Sequence, residues 1–209
     1  TASNNTAVGK SALLLNTTGA GNTAVGTFTL DANTTGATNT AIGYAALSAN
    51  TTATSNVAVG NSALLVNTSA ALNVALGTEA GSGVTSGGGN TLIGYQAGVH
   101  DVALTTGANN VVIGVYSNTS AVDSAKAIVI GYNVTGESDY TTIGSSAGES
   151  RLAHGGTSWA TVSDERVKKD IKDSTVGLSF INDLRPRTFN YRNKGDIPEE
   201  FKGYEENST

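Results

Sequence analysis

The sequence predicts an all-β chain: a repetitive β-prism or β-solenoid shaft with 17-residue rungs, built as a homotrimer, followed by the start of a small α+β domain. Three observations predict it. A glycine-centred motif recurs at a fixed interval over most of the chain. Apolar residues come in short alternating runs set between Asn-Thr-Gly turns. Charge is nearly absent from the first 122 residues, which hold only Lys10, Asp31, Glu79 and Asp101, and then arrives in a burst of six within TVSDERVKKDI, residues 161–171.

The glycines of N-x-[AL]-[VIL]-G fall at 9, 26, 43, 60, 77 and 94, spaced by seventeen. The next intervals are twenty to Gly114, seventeen to Gly131 and thirteen to Gly144, which marks loops lengthened or cut on one continuous stack. Each rung has two parts. An extended segment ends in Val8, Val25, Ile42, Val59, Leu76, Ile93, Ile113, Ile130 or Ile143 just before the glycine. A second stretch carries Leu13, Leu30, Leu47 and Leu64, then Asn16, Asn33, Asn50 and Asn67. SALLLN is too short to be a stable helix alone.

A rung buries two or three apolar side chains, too few to fold by itself, so stacking supplies the core and the Val/Ile of one rung covers that of the next. The repeat glycine serves either a positive φ or a close backbone approach. Asn and Thr stacked in register can form ladders along the surface, though capping turns is their commoner role. So narrow a rung leaves apolar surface over, and the alanines at 7, 24, 41, 58 and 75 are expected to face a partner chain. A homotrimer closes the exposed edges around a shared axis.

Composition excludes several functions. There is no cysteine, so neither a disulfide nor a cysteine-ligated metal site is available. The net charge of −5, with about −4 before Ser163, argues against nucleic-acid binding. No apolar run reaches the roughly 20 residues of a membrane span, so no membrane insertion is expected, and TASNNTAVG lacks the features of a signal peptide. The absence of methionine, an initiator included, points to a piece of a longer chain. His100 and His154 are isolated, and the glycine-rich residues 81–90 lack the G-K-[ST] of a phosphate loop, so neither metal nor cofactor is expected. Trp159 is read as a plug for the end of the stack. Tyr44, Tyr95, Tyr116 and Tyr132 are read as packing on neighbouring rungs, with stacking on sugars as the alternative. The sequons at Asn16, Asn33, Asn50 and Asn67 follow from the repeat itself.

These patterns divide the chain into a shaft (1–150), a joint (151–162) and a C-terminal domain (163–209). From Arg151 on, the chain carries 20 of its 29 charged residues. Ser163 can cap a helix with Asp164 and Glu165 in its first turn. Leu178, Ile181 and Leu184 form the stripe of a second helix that Pro186 closes, and RTFNYR reads as a strand. By themselves Ser163 and Lys168, five residues apart, read as a helix cap and a solvated lysine, although a lysine of lowered pKa is chemically able to activate a serine hydroxyl.

The shaft repeats resemble those in the heads of trimeric autotransporter adhesins, whose period is shorter, and in many bacteriophage tail-fibre proteins. SDERVKKDI followed by GLSFINDLRPRTFNYR closely resembles the start of the C-terminal intramolecular chaperone domain of phage tail spikes and fibres, the peptidase S74 family. The family's domain runs on for some fifty residues more (about that many are missing at Thr209). The resemblance implies a domain that helps three fibre chains assemble in register and then cuts itself off. On this chain the scissile bond would be Val162–Ser163, with Ser163 as nucleophile and Lys168 activating it. It implies a structural virion protein, a distal tail fibre in host attachment, meeting a host surface polysaccharide or protein and other tail or baseplate proteins. The alternatives are a bacterial surface adhesin, which should end in a coiled coil and barrel, and a glycan-degrading tail spike, which should carry a carboxylate pair.

Overall fold

The chain divides into two units, Thr1–Ser163 and Asp164–Thr209, and the structure, a computed structural model, describes residues 2–161. The described part is a parallel β-solenoid. Strands β1 (Thr6–Val8), β2 (Thr23–Val25), β3 (Thr40–Ile42), β4 (Val57–Val59), β5 (Val74–Leu76), β6 (Thr91–Ile93) and β7 (Val111–Ile113) lie side by side in chain order. β8 (Asn118–Thr119) pairs with β10 (Thr135–Gly136) in a small second sheet, while β9 (Ile128–Tyr132) and β11 (Tyr140–Ser145) extend the main one in parallel. β12 (Gly148–Ala153) and β13 (Ala160–Thr161) then add to it antiparallel.

Register follows the sequence period. Thr6 lies opposite Thr23, Thr23 opposite Thr40 and Thr40 opposite Val57, so each period is one full circuit and advances the chain by about 4.8 Å. The irregular intervals leave the register intact: Leu92 faces Val112 twenty residues on, and Val129 faces Thr142 thirteen residues on. The longer rung loops out its extra residues between Gly98 and Leu104, whose N–H returns to the Gly98 carbonyl at 2.9 Å.

The repeat glycine meets both demands that the sequence leaves open. Gly9, Gly77 and Gly94 have φ near +130°, and a Cβ at any of them would lie 2.5–2.6 Å from the carbonyl oxygen of the next rung's glycine. No side chain fits between two backbones that close. After the glycine the chain forms no helix. Its φ alternates in sign instead, with Ser11 and Leu13, Phe28 and Leu30, Ala45 and Leu47, and Ser62 and Leu64 all left-handed. A leucine there costs roughly 1–2 kcal/mol, which is offset because Leu30, Leu47 and Leu64 are completely buried.

The rung interior is narrow, and its volume is shared between two columns. Where the inward strand residue is Ala24, Ala41 or Ala58, the left-handed position holds leucine. Where the strand supplies the bulk, as at Leu92, glycine takes the left-handed position in that rung and in the one before it: a Cβ on Gly98 would lie 3.1 Å from Leu92 Cδ2, and one on Gly81, in the rung of Ala75, 2.5 Å from Leu92 Cδ1. This reverses the expected facing of the strand. Ala24, Ala41, Ala58 and Ala75 are buried in the chain's own core rather than facing a partner, and the Val/Ile before the glycine points outward instead of covering its neighbour inside. A three-residue strand can turn only its middle side chain inward, and only a methyl fits opposite a leucine.

Buried asparagines tie the rungs together. Asn22 Oδ1 accepts the Asn39 N–H at 2.9 Å, Asn39 Oδ1 accepts that of Asn56 at 3.0 Å, and Asn56 Oδ1 accepts that of Asn73 at 2.9 Å. Each Nδ2 donates to a backbone carbonyl of the next rung, as Asn56 does to Ala70 at 2.9 Å. A second ladder runs through Asn16, Asn33 and Asn50, with Asn33 Nδ2 donating to Asn16 Oδ1 at 2.9 Å and Asn50 Nδ2 to Asn33 Oδ1 at 2.8 Å. The asparagine ladders therefore lie inside rather than along the surface, and the sequon asparagines Asn33, Asn50 and Asn67 are closed to solvent. The threonines keep the surface, with Thr17, Thr34 and Thr51 each donating to a carbonyl one rung away.

Asn56→Ala strands the buried Asn73 N–H and leaves the Ala70 carbonyl to Asn67 Nδ2 alone, and should destabilise the shaft by about 2 kcal/mol. Leu47→Ala should cost about 3 kcal/mol through the cavity it opens. Urea melts followed by circular dichroism check both, against an expected null effect of Thr52→Ala on the exposed turn.

Candidate functional site

Three features of the chain can carry function: the outer face of the main sheet, an aromatic corner beside it, and the charged C-terminal motif. On the outer face, strand alternation exposes two columns. One is Thr6, Thr23, Thr40, Val57, Val74 and their successors. The other is the Val/Ile/Leu column before the repeat glycine, in which Leu76 is 46% exposed. No charged side chain interrupts either column over the nine parallel strands. At strand spacing the face is about 40 Å long and about 10 Å wide, roughly 400 Å² in projection. Threonine holds five of the nine places in the first column, at 6, 23, 40, 91 and 141, so the unbroken apolar strip is the Val/Ile/Leu column.

The residue after the repeat glycine stands at the rim of this face, where the chain leaves the strand. Aromatic rings gather there in two groups. Phe28 meets Tyr44 edge to face with ring centroids 6.0 Å apart, and Lys10 sits over Phe28. Further along, Tyr95 meets Tyr116 at 5.3 Å and Tyr116 meets Tyr132 at 6.3 Å, while His100 from the inserted loop lies 4.4 Å from Tyr116. The tyrosines do pack rung on rung, yet Tyr95 remains 40% and Tyr132 55% exposed. The association of His100 with the tyrosines escaped the sequence reading, although the twenty-residue interval just after Tyr95 is its signal. Trp159, expected as a plug, is 52% exposed just before β13 and is not buried against the end of the stack among the described residues. It follows Gly155 and Gly156 in a turn that holds it away from the core.

Ionisable groups are sparse. Among the described residues no group of three or more His, Asp or Glu side chains converges to hold a metal ion, and no helix is long and apolar enough to cross a membrane. Glu137 accepts from Arg151 at 2.6 Å. Nearby, burial pushes the Glu149 carboxyl above its ordinary value of 4.5, against the lowering effect of Arg151 and of a backbone hydrogen bond from Thr135. The raised value means that folding disfavours the ionised form. That penalty is absent below pH 4.5, where both states are protonated, and sets in as pH rises through the folded value. Glu149→Gln should therefore melt above the wild type at neutral pH and together with it at pH 4, as read by scanning calorimetry.

Ser163 and Lys168, the candidate nucleophile and its activating base, lie outside the described residues, as do Val162, the two C-terminal helices and the RTFNYR strand expected from the sequence. The comparison with known families falls on that segment. Residues 163–205 match the Peptidase S74 family, described as the chaperone of endosialidase. No curated protein and no solved structure matches the chain. A β-solenoid shaft is thus followed by a C-terminal segment similar to the peptidase S74 chaperone domain, an architecture consistent with that of phage tail fibres and spikes.

Proposed function

We propose that the chain is the distal part of a homotrimeric virion tail fibre that attaches to a host surface, with a C-terminal domain that directs assembly and then cuts itself off. The observation that carries this reading is the pairing of a repetitive, outward apolar face with a segment matching the S74 chaperone family. Three copies packed face to face would remove the Val/Ile/Leu column, and the Thr/Val column beside it, from water around a common axis. The face is nearly the same on every rung, so a partner shifted by one rung keeps most contacts. Such a shaft needs a device at one end to set register, and the charged, non-repetitive C-terminal domain supplies it. Other tail or baseplate proteins would hold the assembled fibre, and a host polysaccharide or protein would receive it.

Cleavage follows from the chemistry of Ser163 and Lys168. The Ser163 hydroxyl loses its proton to Lys168 and attacks the Val162 carbonyl carbon. The C–N bond breaks as the Ser163 nitrogen takes up a proton, and water then hydrolyses the Val162 ester. Loss of the chaperone makes assembly hard to reverse, because its contacts are no longer available to an unfolded chain.

Full-length chain carrying the complete C-terminal domain should give two bands on a denaturing gel, the smaller beginning at Ser163 by N-terminal sequencing. Ser163→Ala and Lys168→Ala should each leave one band while trimers still form; an intact Val162–Ser163 bond in mature wild type would sink the cleavage claim. In light scattering, the uncut Ser163→Ala protein should have three times the mass of one full-length chain. Adding Ile113→Asp and Ile130→Asp on the sheet face should break the trimer, and Thr52→Asp on the turn side should not. A monomeric Ser163→Ala mass at every concentration would rule the trimer out.

A further inference from the structure

The aromatic corner around Tyr116 is where the shaft departs most from its repeat. The inserted loop between Gly98 and Leu104 adds nothing to the core ladder, since register on either side is already complete. What it adds is polar chemistry beside the rings. His100 packs against Tyr116, and its Nδ1 lies 3.1 Å from Asp101 Oδ1. With that nitrogen donating to the carboxylate, the Nε2 of a neutral ring is left as an acceptor. Tyr95 and Tyr132 stay 40% and 55% exposed although each meets Tyr116 edge to face. The rings thus offer flat apolar faces rimmed by hydroxyls and flanked by one acceptor and one carboxylate. Tyr95 and Tyr116 stand past the strand end and Tyr132 is the last residue of β9, so the rings lie beside the outward columns rather than on them.

This chemistry suits a sugar better than a protein surface or an anion. A pyranose has an apolar C–H face that stacks on an aromatic ring and a rim of hydroxyls that hydrogen-bond to groups such as Asp101 and His100. The sign of the local charge narrows the class. Asp101 lies against His100, and Glu79 is held at 2.6 Å by Gln96, which sits one rung before Tyr116, so the charged side chains tied to this corner are acidic. The cations of the described shaft are engaged elsewhere: Lys10 on Phe28, Lys126 near Asp139, and Arg151 on Glu137.

We propose that Tyr95, Tyr116 and Tyr132, together with His100 and Asp101, form a binding platform for a neutral saccharide. The proposal rests on the host-attachment reading above and assigns it a site and a ligand class. The test is binding of the full-length protein to an array of neutral, sialylated and sulfated oligosaccharides, with titration of the neutral glycan bound best. Binding should be confined to neutral glycans. Tyr116→Ala and Tyr132→Ala should each weaken it by about ten-fold, and Tyr44→Ala, in the other aromatic group, should leave it unchanged. Unaltered circular dichroism and oligomer mass in the same variants separate loss of the platform from loss of the fold. Binding to no glycan, a preference for anionic ones, or full affinity in the Tyr116→Ala/Tyr132→Ala double variant would overturn the proposal. Adhesion to periodate-treated bacterial cells by a fibre that binds no glycan would overturn it while leaving host attachment standing, and adhesion to neither cells nor glycans would count against both.

Discussion

The contact on which the rest of the shaft depends is backbone against backbone at the repeat glycine. The carbonyl of one rung's glycine sits where the Cβ of the previous one would be, so every rung must cross that point with the same φ and no side chain. Pinned there, the strands fall into parallel register, and equivalent residues stack on one another through the shaft. An asparagine can then find its own counterpart one rung away and satisfy it, which lets a core this thin hold a run of buried amides, with Asn50 Oδ1 and the Asn118 amide as the unpaired exceptions among the described residues.

The same narrowness decides which side chains face in. With three residues per strand, one side chain enters the rung, and what fits there is set by the residue across from it. Ala24, Ala41 and Ala58 go with leucine, while the bulk of Leu92 is met by Gly81 and Gly98. The Val, Ile and Leu residues before the repeat glycine are left outside, half-buried or exposed among the described residues. A continuous column of Val, Ile and Leu on a flat outer face is the kind of surface that association removes from water, and the proposed assembly rests on it.

Regularity also explains where distinctive chemistry can appear. A residue inside the repeat is constrained by the rungs on both sides, whereas a loop inserted between two registered positions is free of that constraint. The residues after Gly98 use this freedom to bring a histidine and a carboxylate to a row of tyrosines. The charged C-terminal segment, which matches a different family pattern altogether, is free of the repeat in the same way.

Periodicity by itself determined much of this protein. Nine glycines announced the rungs, their irregular intervals announced the inserted and shortened loops, and SDERVKKDI with GLSFINDLRP announced the C-terminal family. These were legible because stacking converts a sequence interval directly into a position in space. What only the tertiary structure decided was direction. Whether Ala41 or Ile42 faces the core depends on the residue across the rung, and that Leu47 lies left-handed depends on how the chain closes its circuit. That the asparagines are buried rather than superficial depends on what the turns enclose. His100 joins Tyr116 only because folding brings a loop residue back over the rung, a proximity that no local pattern encodes.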